Sequence, residues 1–121
     1  MKLLVICPTF NRSKTVLDTV YSVVNQTHTD WHLVIVDDCS TDNTKEILKP
    51  IFDSHQQISF IKNEENIGCY RSRNRGLKFS IDNNINWDVF TVFDSDDFCE
   101  PNRFKRVLSY FKSDNDLGLT P

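Results

Sequence analysis

No apolar run in this 121-residue chain approaches the roughly 18 residues that a membrane span needs, so no spanning helix is expected. The first candidate, Leu3-Leu4-Val5-Ile6-Cys7, is cut by Pro8-Thr9-Phe10-Asn11 and is too short for the apolar core of a secretion signal. Basic charge is also scarce. Fourteen Lys and Arg against seventeen Asp and Glu leave a net charge of -3, so no global positive field draws the chain to nucleic acid or anionic lipid. A negative protein that binds a phosphorylated ligand needs a local device, such as a metal ion. Zinc signatures are missing too: Cys7, Cys39, Cys69 and Cys99 form no CxxC pair, and no His-x-His accompanies them. Their spacings of 32, 30 and 30 residues follow the pitch of a repeated βα unit, not a disulfide framework. The expectation is reduced thiols and a cytoplasmic location. His28, His32 and His55 have no nucleophile beside them, so nothing suggests a Ser-His or Cys-His pair. There is no linker and no low-complexity segment.

What is present is an alternation of apolar runs and amphipathic stretches. Residues 2–7 read as a strand buried on both faces, which Pro8 is expected to end. Asn11 or Ser13 can cap the following helix, whose apolar stripe is Val16, Val20, Val23 and Val24. Residues 32–36 form a second strand ending at Asp37-Asp38. A second helix follows, with Asn43 and Glu46 spaced as a capping box and Pro50 blurring its end. Ile47, Leu48, Ile51 and Phe52 supply its buried face. Residues 58–61 read as a third strand near a sheet edge, and residues 69–80 as a third helix. Residues 87–93 make the fourth strand, and Pro101 suits the first position of a fourth helix carrying Phe104, Val107, Leu108 and Phe111. The order β-α-β-α-β-α-β-α implies an α/β fold, a mostly parallel sheet with helices on both faces.

In such sheets ligands bind beyond the carboxyl ends of the strands. Those ends carry Pro8-Thr9-Phe10-Asn11, Asp37-Asp38 and Asp94-Ser95-Asp96-Asp97, three polar clusters far apart in sequence that the fold would bring to one edge. Three carboxylates after a buried strand repel one another, and a hard divalent cation with oxygen ligands relieves that repulsion. In an extended chain Asp94 and Asp96 point the same way and can converge on one ion. A plain acidic turn that caps the next helix would use the same residue types.

The ordered set of motifs resembles the N-terminal, nucleotide-binding half of family-2 glycosyltransferases of the GT-A (Rossmann-like) fold. The matching pieces are Cys7-Pro8-Thr9-Phe10-Asn11-Arg12, Ser22-Val23-Val24-Asn25-Gln26-Thr27 and Val34-Ile35-Val36-Asp37-Asp38-Cys39-Ser40-Thr41-Asp42. Asn66-Ile67-Gly68, Arg73-Asn74-Arg75-Gly76 and the Asp-x-Asp triplet Asp94-Ser95-Asp96 complete it, covering nearly the whole chain. The resemblance implies a single nucleotide-sugar-binding domain over residues 1–121 that lacks the C-terminal acceptor half. It implies that Pro8, Thr9 and Asn11 line the nucleotide pocket and that Asp38 accepts a hydrogen bond from uracil N3. Asp94 and Ser95 would lie near the donor, and Asp96 with Asp94 would hold Mn²⁺ or Mg²⁺ on the diphosphate, Asp97 standing by. Among Arg71, Arg73 and Arg75, one would reach the nucleotide or its phosphates; a solvated helix face is the competing reading.

The family transfers a sugar from a nucleotide-diphospho-sugar to an acceptor hydroxyl, with inversion, on a glycan, lipid or protein acceptor. No general base is identifiable in this sequence. A second reading is therefore a non-catalytic nucleotide-sugar-binding module completed by another chain or a second copy, which would cover the open sheet edge. A phospho-receiver fits less well, because its acidic pair follows the first strand and here the pair follows the second.

Overall fold

The computed structural model describes residues 1–94 and 100–113, the last three by backbone alone. Four strands and four helices alternate: β1 (Leu3–Thr9), α1 (Val16–Val24), β2 (Trp31–Asp37), α2 (Thr44–Ser54), β3 (Ile58–Lys62), α3 (Cys69–Asp82), β4 (Val89–Val92) and α4 (Arg103–Ser113). The strands pair in the order β3-β2-β1-β4, and every pairing is parallel. This is the expected α/β order, with β3 on an edge.

The topology follows from handedness. The chain steps from β1 to β2 to β3 in one direction, so right-handed crossovers put α1 and α2 on the same face. From β3 it must return past β2 and β1 to reach β4. The same hand then sends α3 to the opposite face. Alternation along β1 serves both sides: Leu3, Val5 and Cys7 pack with Val16, Val20 and Val23 of α1, Leu48 and Ile51 of α2, and Phe104 and Leu108 of α4. Leu4 and Ile6 point the other way and join Val34 and Val36 beneath Leu77 and Phe79 of α3. Each such side chain contributes roughly 1.5–3 kcal/mol when fully buried. The reversal of strand order leaves a crevice between the ends of β1 and β4.

Several boundaries differ from the sequence expectation. β1 does not stop at Pro8; it runs to Thr9 with Pro8 in register with Val36. Ile6 accepts a hydrogen bond from Phe93 N–H on the β4 side, and Pro8 shares that parity. Its missing N–H therefore falls where the β1–β4 pairing, which ends at Ile6 and Val92, has already stopped. Neither Asn11 nor Ser13 caps α1, whose N-cap is Thr15 without a side-chain cap bond. The Asn43–Glu46 capping box does not form either. Instead Asp42 Oδ1 accepts from Thr44 N–H at 3.2 Å and from Thr44 Oγ1 at 2.5 Å, a charged acceptor that also suits the positive end of the helix. α2 continues through Pro50 to Ser54, with Pro50 and Glu46 on the solvent side, where water can take the carbonyl that Pro50 leaves unbonded. β4 is four residues long, and α4 begins at Arg103, two residues after Pro101.

Candidate functional site

The crevice opens into a cleft of about 300 Å³ lined by Pro8, Thr9, Phe10, Arg12, Asp38, Cys69, Ser72 and Asp94. Three strand ends and the first turn of α3 thus supply its walls. Phe10 keeps 43% of its surface exposed, an apolar ring at the mouth. Thr9 is 3% exposed, and its Oγ1 is buried without a partner among the described residues. An unpaired buried hydroxyl costs about 1–3 kcal/mol, so a polar ligand that reaches it gains a bond that no described residue makes.

The loops that follow β1 and β2 bond to each other beside the cleft. Asn11 sits at φ 51°, a left-handed conformation that Asn tolerates better than most residues. Its N–H donates to Ser40 Oγ at 2.8 Å, and its side-chain oxygen accepts from Thr41 N–H at 2.8 Å and Asp42 N–H at 3.3 Å. Ser13 N–H donates to Asp42 Oδ2 at 3.1 Å. Burial opposes the charge on Asp42, but bonds from Thr44 and Ser13 win and hold its carboxyl below the usual range.

The adjacent aspartates do different work. Asp37 turns back into its own loop, accepting from Ser40 N–H at 2.9 Å and Ser40 Oγ at 2.5 Å. Asp38, 5% exposed, faces the cleft and α3. Its Oδ1 accepts from Ile67 N–H at 2.7 Å and Asn63 Nδ2 at 3.0 Å, and its Oδ2 from Gly68 N–H at 2.9 Å. Gly68 supplies that N–H from φ 92°, where a side chain would be strained. Burial pushes the Asp38 carboxyl up, but those donors together with Ser72 outweigh it and hold the group ionised below the usual carboxylate range.

The segment before α4 is tied to α1 by Gln26, which is buried just past the end of α1. Its Nε2 donates to Ser22 O at 3.0 Å and Glu100 O at 2.6 Å, and its Oε1 accepts from Phe104 N–H at 3.0 Å. Thr27 N–H adds a bond to Pro101 O at 2.7 Å. One amide thus caps α4 and anchors the segment that follows the acidic stretch.

Comparison with known proteins decides what this cleft belongs to. The sequence matches the family described as Glycosyl transferase family 2 over residues 4–120. The chain belongs to that family. Its relatives include TuaG of Bacillus subtilis, whose name assigns it provisionally to teichuronic acid biosynthesis as a glycosyltransferase. The two are 34% identical over 106 residues, which span 88% of this chain and 40% of TuaG. The structure of S. aureus TarS in complex with UDP-GlcNAc superposes with a TM-score of 0.82 at 27% identity, over 95% of this chain and 32% of that one. A mannosyltransferase from Pyrobaculum calidifontis, in complex with GDP-Man and Mn²⁺, shares the fold with a TM-score of 0.80 at 17% identity, over 91% of this chain and 32% of that one. The family-2 chain is thus an α/β GT-A domain spanning well under half of these relatives.

Of the residues singled out in this family-2 sequence, Pro8, Thr9, Asp38 and Asp94 come together at the cleft. Ser95, Asp96 and Asp97 lie outside the described residues, as does Cys99. Asn11 does not line the cleft; its side chain is engaged with Thr41 and Asp42. Arg71 is exposed and Arg73 stacks on Tyr70, 5.1 Å from the ring centre, neither of them among the cleft residues. Arg75 instead donates to Asn63 Oδ1. Phe10, Arg12, Cys69 and Ser72 line the cleft without having been singled out; their places beside Thr9 and just after Gly68 were the available signal. Cys7, Cys39 and Cys69 form no disulfide among the described residues. Among the described residues, no helix is long and apolar enough to cross a membrane, and no three His, Cys, Asp or Glu side chains gather as a metal site.

Proposed function

We propose that this chain is the donor-binding part of a metal-dependent, inverting glycosyltransferase that takes its sugar from a UDP-sugar. The observation that carries the reading is the cleft at the β1–β4 switch point, where an ionised Asp38, an exposed Phe10 and an unpaired Thr9 hydroxyl share one wall system. A flat uracil ring is suited to the Phe10 face, and stacking on an aromatic is worth roughly 1–3 kcal/mol per base. The carboxylate of Asp38 complements an imide N–H and repels the lone pair at N3 of cytosine. Thr9 Oγ1 offers a hydrogen bond to the ribose or the first phosphate, and Arg12 places a guanidinium at the same opening. Relatives that bind UDP-GlcNAc and GDP-Man with Mn²⁺ support a nucleotide-sugar donor here.

A divalent cation fits the donor set in kind. Asp94, a hard oxygen donor, lines the cleft at the end of β4, and Asp96 would join it. Bound there, Mn²⁺ or Mg²⁺ would neutralise charge on the departing diphosphate. The protein's own contribution is positional: the strand ends and the first turn of α3 set the cleft-lining side chains against one another. No residue of the chain is assigned as the base that deprotonates the acceptor, and the acceptor, a glycan, lipid or protein hydroxyl, is proposed by family habit alone. One domain over residues 1–121, reduced thiols and a cytoplasmic setting belong to the same proposal.

Calorimetric titration of UDP, with and without Mn²⁺, tests it on the wild-type chain and Asp96→Ala. Metal-dependent binding that the substitution reduces at least tenfold is the expected outcome, since one lost ligand to the cation removes on the order of 1.4 kcal/mol or more. A folded wild-type chain that ignores UDP under both conditions would overturn the donor-site reading.

A further inference from the structure

We propose that Arg75 and Asn63 are positioning residues that set the base preference of the cleft, by locking the Asn63 amide in the one orientation that presents a donor to Asp38. The inference rests on the donor-cleft reading and deepens it. Asn63 follows β3, is 3% exposed, and donates its backbone N–H to Asp37 O at 2.8 Å. Its side chain lies at a junction of three elements: Nδ2 donates to Asp38 Oδ1 at 3.0 Å and to Ser72 Oγ at 3.0 Å, and Oδ1 accepts from Arg75.

A primary amide has two nearly isosteric orientations, and what distinguishes them is which neighbours donate. Ser72 can either donate or accept, so it does not choose. Asp38, ionised, can only accept. Arg75 can only donate, and it is the partner that makes the reversed orientation untenable from the oxygen side. With both constraints the amide has a single satisfied state. Remove the guanidinium, and the buried Asn63 oxygen loses its donor, so the amide is released to turn that oxygen toward the Ser72 hydroxyl, which can donate, at the expense of the bond from Nδ2 to Asp38 Oδ1. Two acceptors would then face each other across about 3 Å, a contact that weakens the hold on Asp38 Oδ1.

Asp38 is the group through which this matters. It has bonds on both oxygens before any ligand arrives, so its value to an incoming base lies in direction as well as charge. A carboxylate rotated by the loss of one donor still attracts cations, but it no longer aims a lone pair at an imide. Arg75 itself does not line the cleft and sits on an exposed part of α3. It thus acts through Asn63, and replacing it leaves no cavity in either core.

The test is titration calorimetry of UDP and of CDP, each with Mn²⁺, on the wild-type chain, Arg75→Met and Arg75→Lys. Methionine keeps the apolar stem without a donor; lysine keeps a donor that cannot accept. The expected result is a wild-type preference for UDP that Arg75→Met lowers roughly tenfold, as one misdirected hydrogen bond to a charged group implies, with CDP affinity unchanged and Arg75→Lys restoring much of the preference. A preference that survives Arg75→Met overturns this inference and leaves the donor cleft standing. Equal weakening of both nucleotides also overturns it, because that pattern means Arg75 serves the phosphates. A wild-type chain that binds neither nucleotide removes the donor cleft and this inference together.

Discussion

The two faces of the sheet are covered by different means. On one, α1, α2 and α4 lay down large apolar side chains, among them Val16, Val20, Leu48 and Phe104, each about 1% exposed or less. On the other, α3 is alone, and its buried residues are Ser72, Gly76 and Ser80. Small residues let that helix settle against the sheet: a Cβ at Gly76 would lie 2.9 Å from Ile6 Cγ2 and 3.1 Å from Val36 Cγ2. Close approach leaves little apolar area at its N-terminal half, so polar contacts finish the work there. Ser72 and Arg75 reach Asn63 and, through it, Asp38, while Trp87 Nε1 donates to Ser80 Oγ at 3.1 Å at the other end. The first face supplies stability. The second supplies alignment, because the helix that carries one wall of the cleft is held at contact distance from the strands that carry the others.

Substitutions on either face separate these roles. Leu48→Ala, at a position with no exposed surface, should lower the free energy of unfolding by about 2–5 kcal/mol in urea titrations and leave the nucleotide affinity of the folded chain intact. Gly76→Ala should behave in the opposite way. Alanine gains nearly 1 kcal/mol of helix propensity, but the contacts with Ile6 and Val36 cost about 1–3 kcal/mol, leaving a net loss on the order of 1 kcal/mol. Its larger signature should be weaker UDP binding, since lifting α3 moves Cys69 and Ser72 off the cleft. If Gly76→Ala binds UDP as tightly as the wild type, alignment does not depend on the close approach, and the comparison fails.

The smallest effect concerns pH. His32 lies on β2 with the parity of Val34 and Val36, the α3 side, and its Nε2 is 2.9 Å from Ser59 Oγ. Burial, with the nearby Lys2 charge second, holds its pKa below the ordinary 6.5. Between the two pKa values the unfolded chain binds more protons, so the His32 contribution is complete above about 6.5 and is lost as pH falls through the folded value. Thermal melts should therefore drop below pH 6.5 in the wild type and flatten in His32→Gln over the same range. A drop of equal size in both chains would place the sensitive group elsewhere.

Much of this was legible in the chain. The spacing of apolar runs gave four βα units and their parallel order, because a strand buried on both faces and a helix with a valine stripe leave period-specific marks at Val34-Ile35-Val36 and at Val16, Val20 and Val23. The family motifs pointed to Pro8, Thr9, Asp38 and Asp94, which do meet at one cleft. Local chemistry misled at the boundaries, where several polar residues compete for the same orphan groups: Asn43 and Asp42 are both good caps in sequence, and only the ion-like acceptor Asp42, held from Ser13, has the geometry.

By itself, then, the sequence determined the kind and order of the elements and the edge on which their ends would gather, since both follow from hydrophobic period and chain handedness. Tertiary structure alone decided which polar side chain faces the cleft and which faces protein. Asp37 and Asp38 are identical and adjacent, yet the pleat sends one into Ser40 and the other into the cleft. Asn11 and Arg75, both read from the sequence as candidates for the ligand, bond to other protein groups in the structure, Asn11 to Thr41 and Asp42 and Arg75 to Asn63. The reason is that a hydrogen-bond partner is fixed by three-dimensional proximity, and the partners of Asn11, Asp38 and Arg75 lie 12 to 31 positions away in the chain.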